Sequence, residues 1–457
     1  MSSVTTTRKV PAFPTEKHWL FGSAYLLKDH PMKTLTRFHA KYGDIFSLSL
    51  PFNKVVVAAK PEFAKYVLLE NNKNYTKSLA YEMLAVLLGN GLLTSEGEFW
   101  KKQRKLIQPA FHKQKLAALT AMMVARTEEA VDRFKAYSEN GGDVDMLPEM
   151  TDLTLDIISK SIFSSGLSRE KAMQVGEHIT RLNEYAVEKL NNPIRLPAKF
   201  PTPFNIRERK SMQALDDVIY AIIEARRKEG VSKDDLLSML LDAKEEETGE
   251  GMDNKQLRDE VMTIFIAGNE TSSNALSWMF YLLSQNPEAE QKMMAEINEK
   301  LDAGTELTFE NLMQFSYVRM VIEESMRLYP PAWSVGRRNI EDDEIGGYHI
   351  EKGTNVLVPL FLFHRSPRYW DEPMAFRPDR FAADKRNNID RFVYMPFGGG
   401  PRLCIGNHFA MLEMQIILIL LYRHFKFELQ PGFVAEEDSL ITLRPKNGMK
   451  MKVSKRA

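Results

Sequence analysis

The sequence predicts a mainly α-helical protein with small β-sheets, organised as one unit over residues 1–457. Three observations carry this. From Glu98 to about Gly251 apolar residues recur with helical spacing. Gln256 to Leu283 then runs without proline, enough for a helix of about 40 Å. Strand-like alternation is confined to Ile45–Ala58 and to segments after Gly346. At roughly 150 residues per domain the length allows two or three domains, but no repeat, low-complexity tract or Gly/Ser linker divides the chain.

Taken in order, Ile45–Ala58 alternates around the turn-like Pro-Phe-Asn and predicts a β-hairpin, and a helix follows from about Pro61. The helical stretch after Glu98 breaks at Pro109 and at Asn140–Asp143. The Pro-rich segment Asn191–Phe204 predicts a loop between two long helices. Further helices end near Leu328, where Tyr-Pro-Pro breaks the pattern, and Gly346–Leu360 predicts short strands. Phe363–Phe397 shows no period. A last apolar helix is expected to begin near Cys404, and Asn447-Gly448 between alternating segments predicts a closing hairpin.

Composition narrows the function. Lys plus Arg and Asp plus Glu both number 61, so no bulk field draws the chain to nucleic acid or an anionic membrane. A single cysteine excludes an internal disulfide and a multi-cysteine zinc site, which fits a reducing compartment. The N-terminus lacks the apolar core of a signal peptide, and Ile416–Tyr422 is too short to span a bilayer. A cytoplasmic monomer without a transmembrane anchor is expected.

The cysteine stands in Phe397–Gly406, FGGGPRLCIG. By residue type alone it would be a small buried hydrophobe. Three consecutive glycines argue otherwise, because they lose backbone entropy and are used where φ is positive or a ligand comes close. Backbone amides at the start of a helix after Cys404 would favour its thiolate.

These residues closely resemble the haem-binding loop of the cytochromes P-450, Phe-x-x-Gly-x-Arg-x-Cys-x-Gly. Every defined position is present, at Phe397, Gly400, Arg402, Cys404 and Gly406. The resemblance implies the family's triangular prism, with haem b between the long central helix and the cysteine-loop helix. It assigns Cys404 as axial ligand of the haem iron, Phe397 as shield of the sulfur, Arg402 as partner of a propionate, and Gly406 as the point where backbone passes beneath the porphyrin.

Three further constellations support it. Ile266–Ser273, IAGNETSS, lies within the long helix, where Gly268 weakens helicity by about 1 kcal/mol and Thr271 can bond back to the Ala267 carbonyl. By residues alone this is close helix packing beside an acid and a hydroxyl. It resembles the family's oxygen groove, which implies that Glu270 and Thr271 relay protons for O–O scission and that Ala267 and Gly268 lie against the cofactor. Glu324 and Arg327 share a helix face, ordinarily a surface pair, but with Arg380 they resemble the family's buried Glu-Arg-Arg cluster, a structural element. Trp100 and Arg104, four apart, resemble a propionate-binding pair, and Arg337, with Arg338 beside it as an alternative, resembles another propionate partner.

The resemblance implies a haem-thiolate monooxygenase that inserts one atom of O2 into a hydrophobic small molecule. Electrons from NAD(P)H would arrive through a separate ferredoxin or flavodoxin with its reductase. Lys101, Lys102, Lys105 and Lys113 are a candidate basic docking patch, or simply a solvated helix face. Ala267, Trp333, Val335 and Ile441 are expected at the substrate. The competing readings are a peroxide-driven peroxygenase, a haem-thiolate sensor without turnover, and a cysteine hydrolase using His408. The intact Glu270-Thr271 pair disfavours the first two, and the hydrolase leaves the other constellations unexplained.

Overall fold

The computed structural model describes residues 9–16, 22–27, 30–50, 53–164, 178, 181, 200–230, 233, 235–245, 249–301 and 306–456. Its longer helices are α1 (Pro31–Tyr42), α2 (Leu79–Leu88), α3 (Gly97–Ile107), α4 (Lys113–Glu139), α5 (Met146–Phe163), α6 (Pro203–Glu229), α7 (Asn254–Gln285), α8 (Pro287–Lys300), α9 (Ser316–Leu328) and α10 (Asn407–His424). The predicted central helix is α7, 32 residues long. Asp253 opens it by accepting from the Gln256 amide at 2.7 Å, and the chain turns before Pro287, which begins α8.

The longer helix α7 is buried over most of its length because other helices surround it. It packs along α5, where Gly268 lies so close that a Cβ would stand 3.1 Å from the Ile158 side chain. On the same seam Thr154 donates to the Asn269 side chain at 2.7 Å. Gly268 therefore serves helix packing. In α10 the run from Ile416 to Tyr422 is buried, as its composition requires.

The strands are β1 (Ile45–Leu50), β2 (Asn53–Ala58), β3 (Tyr75–Lys77), β4 (Asp143–Asp145), β5 (Val335–Asn339), β6 (Asp343–Ile345), β7 (Tyr348–Ile350), β8 (Asn355–Val358), β9 (Phe425–Leu429), β10 (Glu437–Ser439), β11 (Leu443–Pro445) and β12 (Lys450–Lys455). The largest sheet has order β1-β2-β8-β5-β3, and its own apolar core is separate from the helical one. The predicted first hairpin is present, pairing Leu50 with Asn53, although Pro51 and Phe52 lie outside the described residues.

Two expectations are corrected. Of the predicted loop over residues 191–204, residues 191–199 lie outside the described residues, and Pro203 and Phe204 already form the first turn of α6. There Thr202 accepts from the Asn205 amide at 3.0 Å, and proline suits a position whose N–H has no helical partner. The last helix begins at Asn407, near Cys404 as expected. Asn447-Gly448 does not close a hairpin, because β11 pairs with β10 while β12 pairs with β4 and β9. Asp145 is the cause, accepting from the Met449 amide at 2.8 Å and from Lys450 Nζ at 2.7 Å. Gly448 has φ of +74°, so the signal marks a glycine-dependent turn but not the strands it joins.

Candidate active site

The cysteine loop winds tightly before α10. Gly398 N–H donates to the Met395 carbonyl at 3.0 Å, Leu403 N–H to Gly400 at 3.1 Å, and Cys404 N–H to Phe397 at 3.0 Å. Gly400 has φ of +68°, and a Cβ there would fall 1.9 Å from the Leu68 carbonyl oxygen. At Gly400 the close approach is thus to the protein's own backbone, and the positive φ of Gly398 and Gly400 is one of the two uses expected of this run. At Gly406 a Cβ would sit 3.8 Å from Phe111, so the protein alone does not demand glycine there. Phe397 packs at the edge of the helical core.

Cys404 has exposed surface area yet is deeply surrounded by protein, so its sulfur lines an interior space. Burial pushes the thiol up, while the Gly406 amide and the Arg104 charge pull it down. The amide thus acts toward the thiolate as expected, but burial outweighs it where no further cation is present. A metal cation at the sulfur would reverse the balance.

Beside the loop lies a group of cations. The Arg402 guanidinium stacks 3.8 Å over the Trp100 ring and donates to the Ser95 carbonyl at 2.9 Å and to Glu96. Arg104 donates to the Leu403 carbonyl at 2.6 Å. Arg337, buried on β5, pairs in register with Lys77 of β3, and Lys77 lies 4.4 Å over the Tyr81 ring. Burial, opposed by Glu96 and reinforced by Arg337, pushes Arg402 down to about 10. Burial and the charges of Arg337 and Arg402 hold Lys77 well below the usual amine range.

Four cations here meet the carboxylate of Glu96, an imbalance that suits an added dianion. A soft sulfur with a cluster of half-buried and buried cations beside it fits a porphyrin carrying two propionates. Trp100, Arg104, Arg337 and Arg402 are brought together as the sequence predicts. Lys77 was not predicted, because one lysine at the end of a short strand has no local signal.

On α7, Thr271 Oγ1 donates to the Ala267 carbonyl at 2.6 Å, the predicted back-bond. Ala267 is exposed although the helix around it is buried, which marks a cavity wall. Glu270 accepts from Thr442 Oγ1 at 2.6 Å, and Asn274 donates to the same hydroxyl at 3.1 Å. The loop before Trp100 is latched to α7 by two acids that sequence reasoning missed. Asp259 accepts from the Asn90 amide and Glu260 from the Leu92 amide, both at 2.9 Å. Burial pushes Glu260 up to about 8, with the Leu92 amide opposing and Asp259 adding.

The Glu-Arg-Arg expectation matches the geometry. Arg327 donates to Glu324 at 2.7 and 2.8 Å, and Arg380 approaches Glu324 at 3.3 Å. Arg327 also donates to the carbonyls of His364, Pro373 and Ala375, tying α9 to the segment that leads into the cysteine loop.

The remaining expected residues lie around the sheet and on α3. Trp333 belongs to the sheet core, edge-on to Phe361, with its indole donating to the Leu440 carbonyl at 3.0 Å. It positions the 440 turn, whose Ile441 is partly buried, and Val335 is partly buried in β5. In the lysine patch, Lys101 pairs with Glu98 and Lys102 with Glu245, each at 2.6 Å, which weakens it as a field for an acidic protein. No helix among the described residues is long and apolar enough to cross a membrane.

Comparison with known proteins gives one family. Residues 11–453 match the model of the family described as Cytochrome P450. Cyclooctat-9-en-7-ol 5-monooxygenase of Streptomyces melanosporofaciens is 33% identical, with 92% of each chain covered. Cyclooctatin synthase of the same organism is 30% identical, again over 92% of each. Protein LUTEIN DEFICIENT 5, chloroplastic, of Arabidopsis thaliana is 31% identical over 91% of this chain and 72% of its own length.

Proposed function

Because this chain belongs to the cytochrome P450 family and is a haem monooxygenase, we propose that Cys404 is its axial ligand and that its substrate is a hydrophobic, terpenoid-like molecule. The observation that carries the ligand assignment is the pairing of the chain's one thiol with the cluster Lys77, Arg104, Arg337 and Arg402. The substrate class is supported by the relative named for action on cyclooctat-9-en-7-ol and by the apolar character of Ala267, Val335 and Ile441.

The haem, read as haem b, supplies oxygen activation when bound, and the residues supply position and protons. Trp100, Arg104, Arg337, Arg402 and Lys77 would hold the propionates through charge-assisted hydrogen bonds. Gly406 N–H would donate to the Cys404 sulfur and temper its charge. Thr271 spends its O–H on Ala267, so its remaining lone pairs accept, and it passes a proton only after receiving one. Glu270, oriented by Thr442, is the neighbouring acid for that exchange. Electrons come from NAD(P)H through a separate ferredoxin or flavodoxin with its reductase, and the enzyme works as a cytoplasmic monomer.

The reduced protein under carbon monoxide should show the strongly red-shifted Soret band of thiolate ligation, and Cys404→Ser should lose it. A protein that binds no haem, or an unchanged band in the variant, would refute the assignment. Product formation from cyclic terpenoid alcohols with a surrogate ferredoxin tests the substrate class, and turnover of fatty acids alone would count against it.

A further inference from the structure

The mechanism above leaves one buried acid unused. Glu413 lies on α10 with no exposed surface, and neither carboxyl oxygen has a hydrogen-bond partner of good geometry. A buried polar group left this way loses the full free energy of its hydration, so its retention calls for a reason. Helices α4, α7, α8 and α9 all pack against α10. Across those contacts, the Ser272 hydroxyl of α7 is the side chain that acts on the Glu413 charge, close enough to lower its pKa but outside good bonding geometry. Ser272 immediately follows Thr271.

We propose that Glu413, through Ser272, supplies a proton to the groove of α7 at Thr271. Two acids would then flank the threonine. Glu270 is held by Thr442 toward the 440 turn, whereas Glu413 approaches α7 from α10 and is not tied to a protein donor. Burial pushes Glu413 up to about 8, so at neutral pH it carries its O–H and stores a transferable proton. In the transfer, the Glu413 O–H bond breaks as Ser272 Oγ accepts that proton. The serine's own proton leaves to a water beside Thr271. The carboxylate regains a proton by the same route in reverse, from water in the groove back through Ser272, before the next cycle, so no charge accumulates. Glu413 acts through Ser272, and is therefore a positioning residue.

This inference rests on the monooxygenase reading, and one set of measurements on the haem-loaded protein separates the two. Infrared spectra at pH 7 should show a protonated carboxyl band that Glu413→Gln removes. The glutamine keeps shape and hydrogen bonding but has no acidic proton. NAD(P)H oxidation with a surrogate ferredoxin system should fall about ten-fold in Glu413→Gln, with a larger solvent deuterium isotope effect, and Glu413→Asp should recover part of the rate. A carboxyl band absent from the wild type overturns the proposal. So does a glutamine variant with wild-type rate and isotope effect, the result a purely structural role predicts. A wild-type protein without the thiolate carbon-monoxide spectrum instead sinks the monooxygenase reading, and the relay falls with it.

Discussion

Glu324 and Arg327 form a two-pronged ion pair with both side chains fully buried. Removing one partner of such a pair strands the other charge, at a cost of about 3–5 kcal/mol. Glu324→Ala should therefore lower the thermal midpoint sharply and reduce the haem-to-protein absorbance ratio. Arg327→Lys should also destabilise, because an ammonium cannot reproduce the fork that serves Glu324 and the His364, Pro373 and Ala375 carbonyls together. Thermal unfolding of both variants checks this, and a neutral Arg327→Lys would contradict it.

The cysteine loop permits a comparison between two neighbouring glycines. Gly398 has φ of +76° with open space around it, so Gly398→Ala should cost only the left-handed backbone penalty, about 1–2 kcal/mol. Gly400→Ala adds a collision with the Leu68 carbonyl and should be clearly worse, with loss of haem as well as stability. Equal denaturation midpoints for the two variants would refute the packing role of Gly400.

Lys77 should have opposite effects in the two forms of the protein. In the haem-free protein it adds repulsion to Arg337 and Arg402, so Lys77→Met should raise the melting temperature. In the loaded protein the same change removes a propionate partner and should speed transfer of haem to a scavenger protein by about ten-fold or more. Haem loss at the wild-type rate would place Lys77 outside the propionate site.

Stability should depend on pH through Glu260. Its folded pKa is raised to about 8 from the usual 4.5, so the folded state binds the extra proton between those values and stability falls as pH rises toward 8. Comparison between pH 6.5 and 8 excludes His364, whose pKa, lowered by burial and then by Arg327 and Arg365, acts below that window. Because Glu413 titrates in the same window, the Glu260 share is read as the difference between variant and wild type. Glu260→Gln should flatten the slope by about 1.4 kcal/mol per pH unit in denaturant titrations. An unchanged slope would show that Glu260 is ionised in the fold.

Local patterns made part of this site legible in the sequence. Helical spacing places Glu324 with Arg327 and Trp100 with Arg104, and the back-bond of Thr271 follows from its position in a long helix. Arg380 was legible only through family resemblance, because nothing local joins it to Glu324. Lys77, Glu260 and Glu413 were not legible at all. Each is a single charge in an ordinary strand or helix pattern, and its burial is decided by elements remote in sequence. Gly448 shows the same limit, since a turn signal says where the chain bends but not which strand receives it.

The pairing of β4 with β12 sets an order of events during synthesis. Strand Asp143–Asp145 finds its partner in Lys450–Lys452, which a ribosome adding about 5–20 residues per second reaches only tens of seconds later. Until then α4 and α5 flank an unpaired strand, an opportunity for chaperones and a hazard in crowded expression hosts. Slowing translation just before residue 450 should therefore lengthen the lifetime of an aggregation-prone nascent chain.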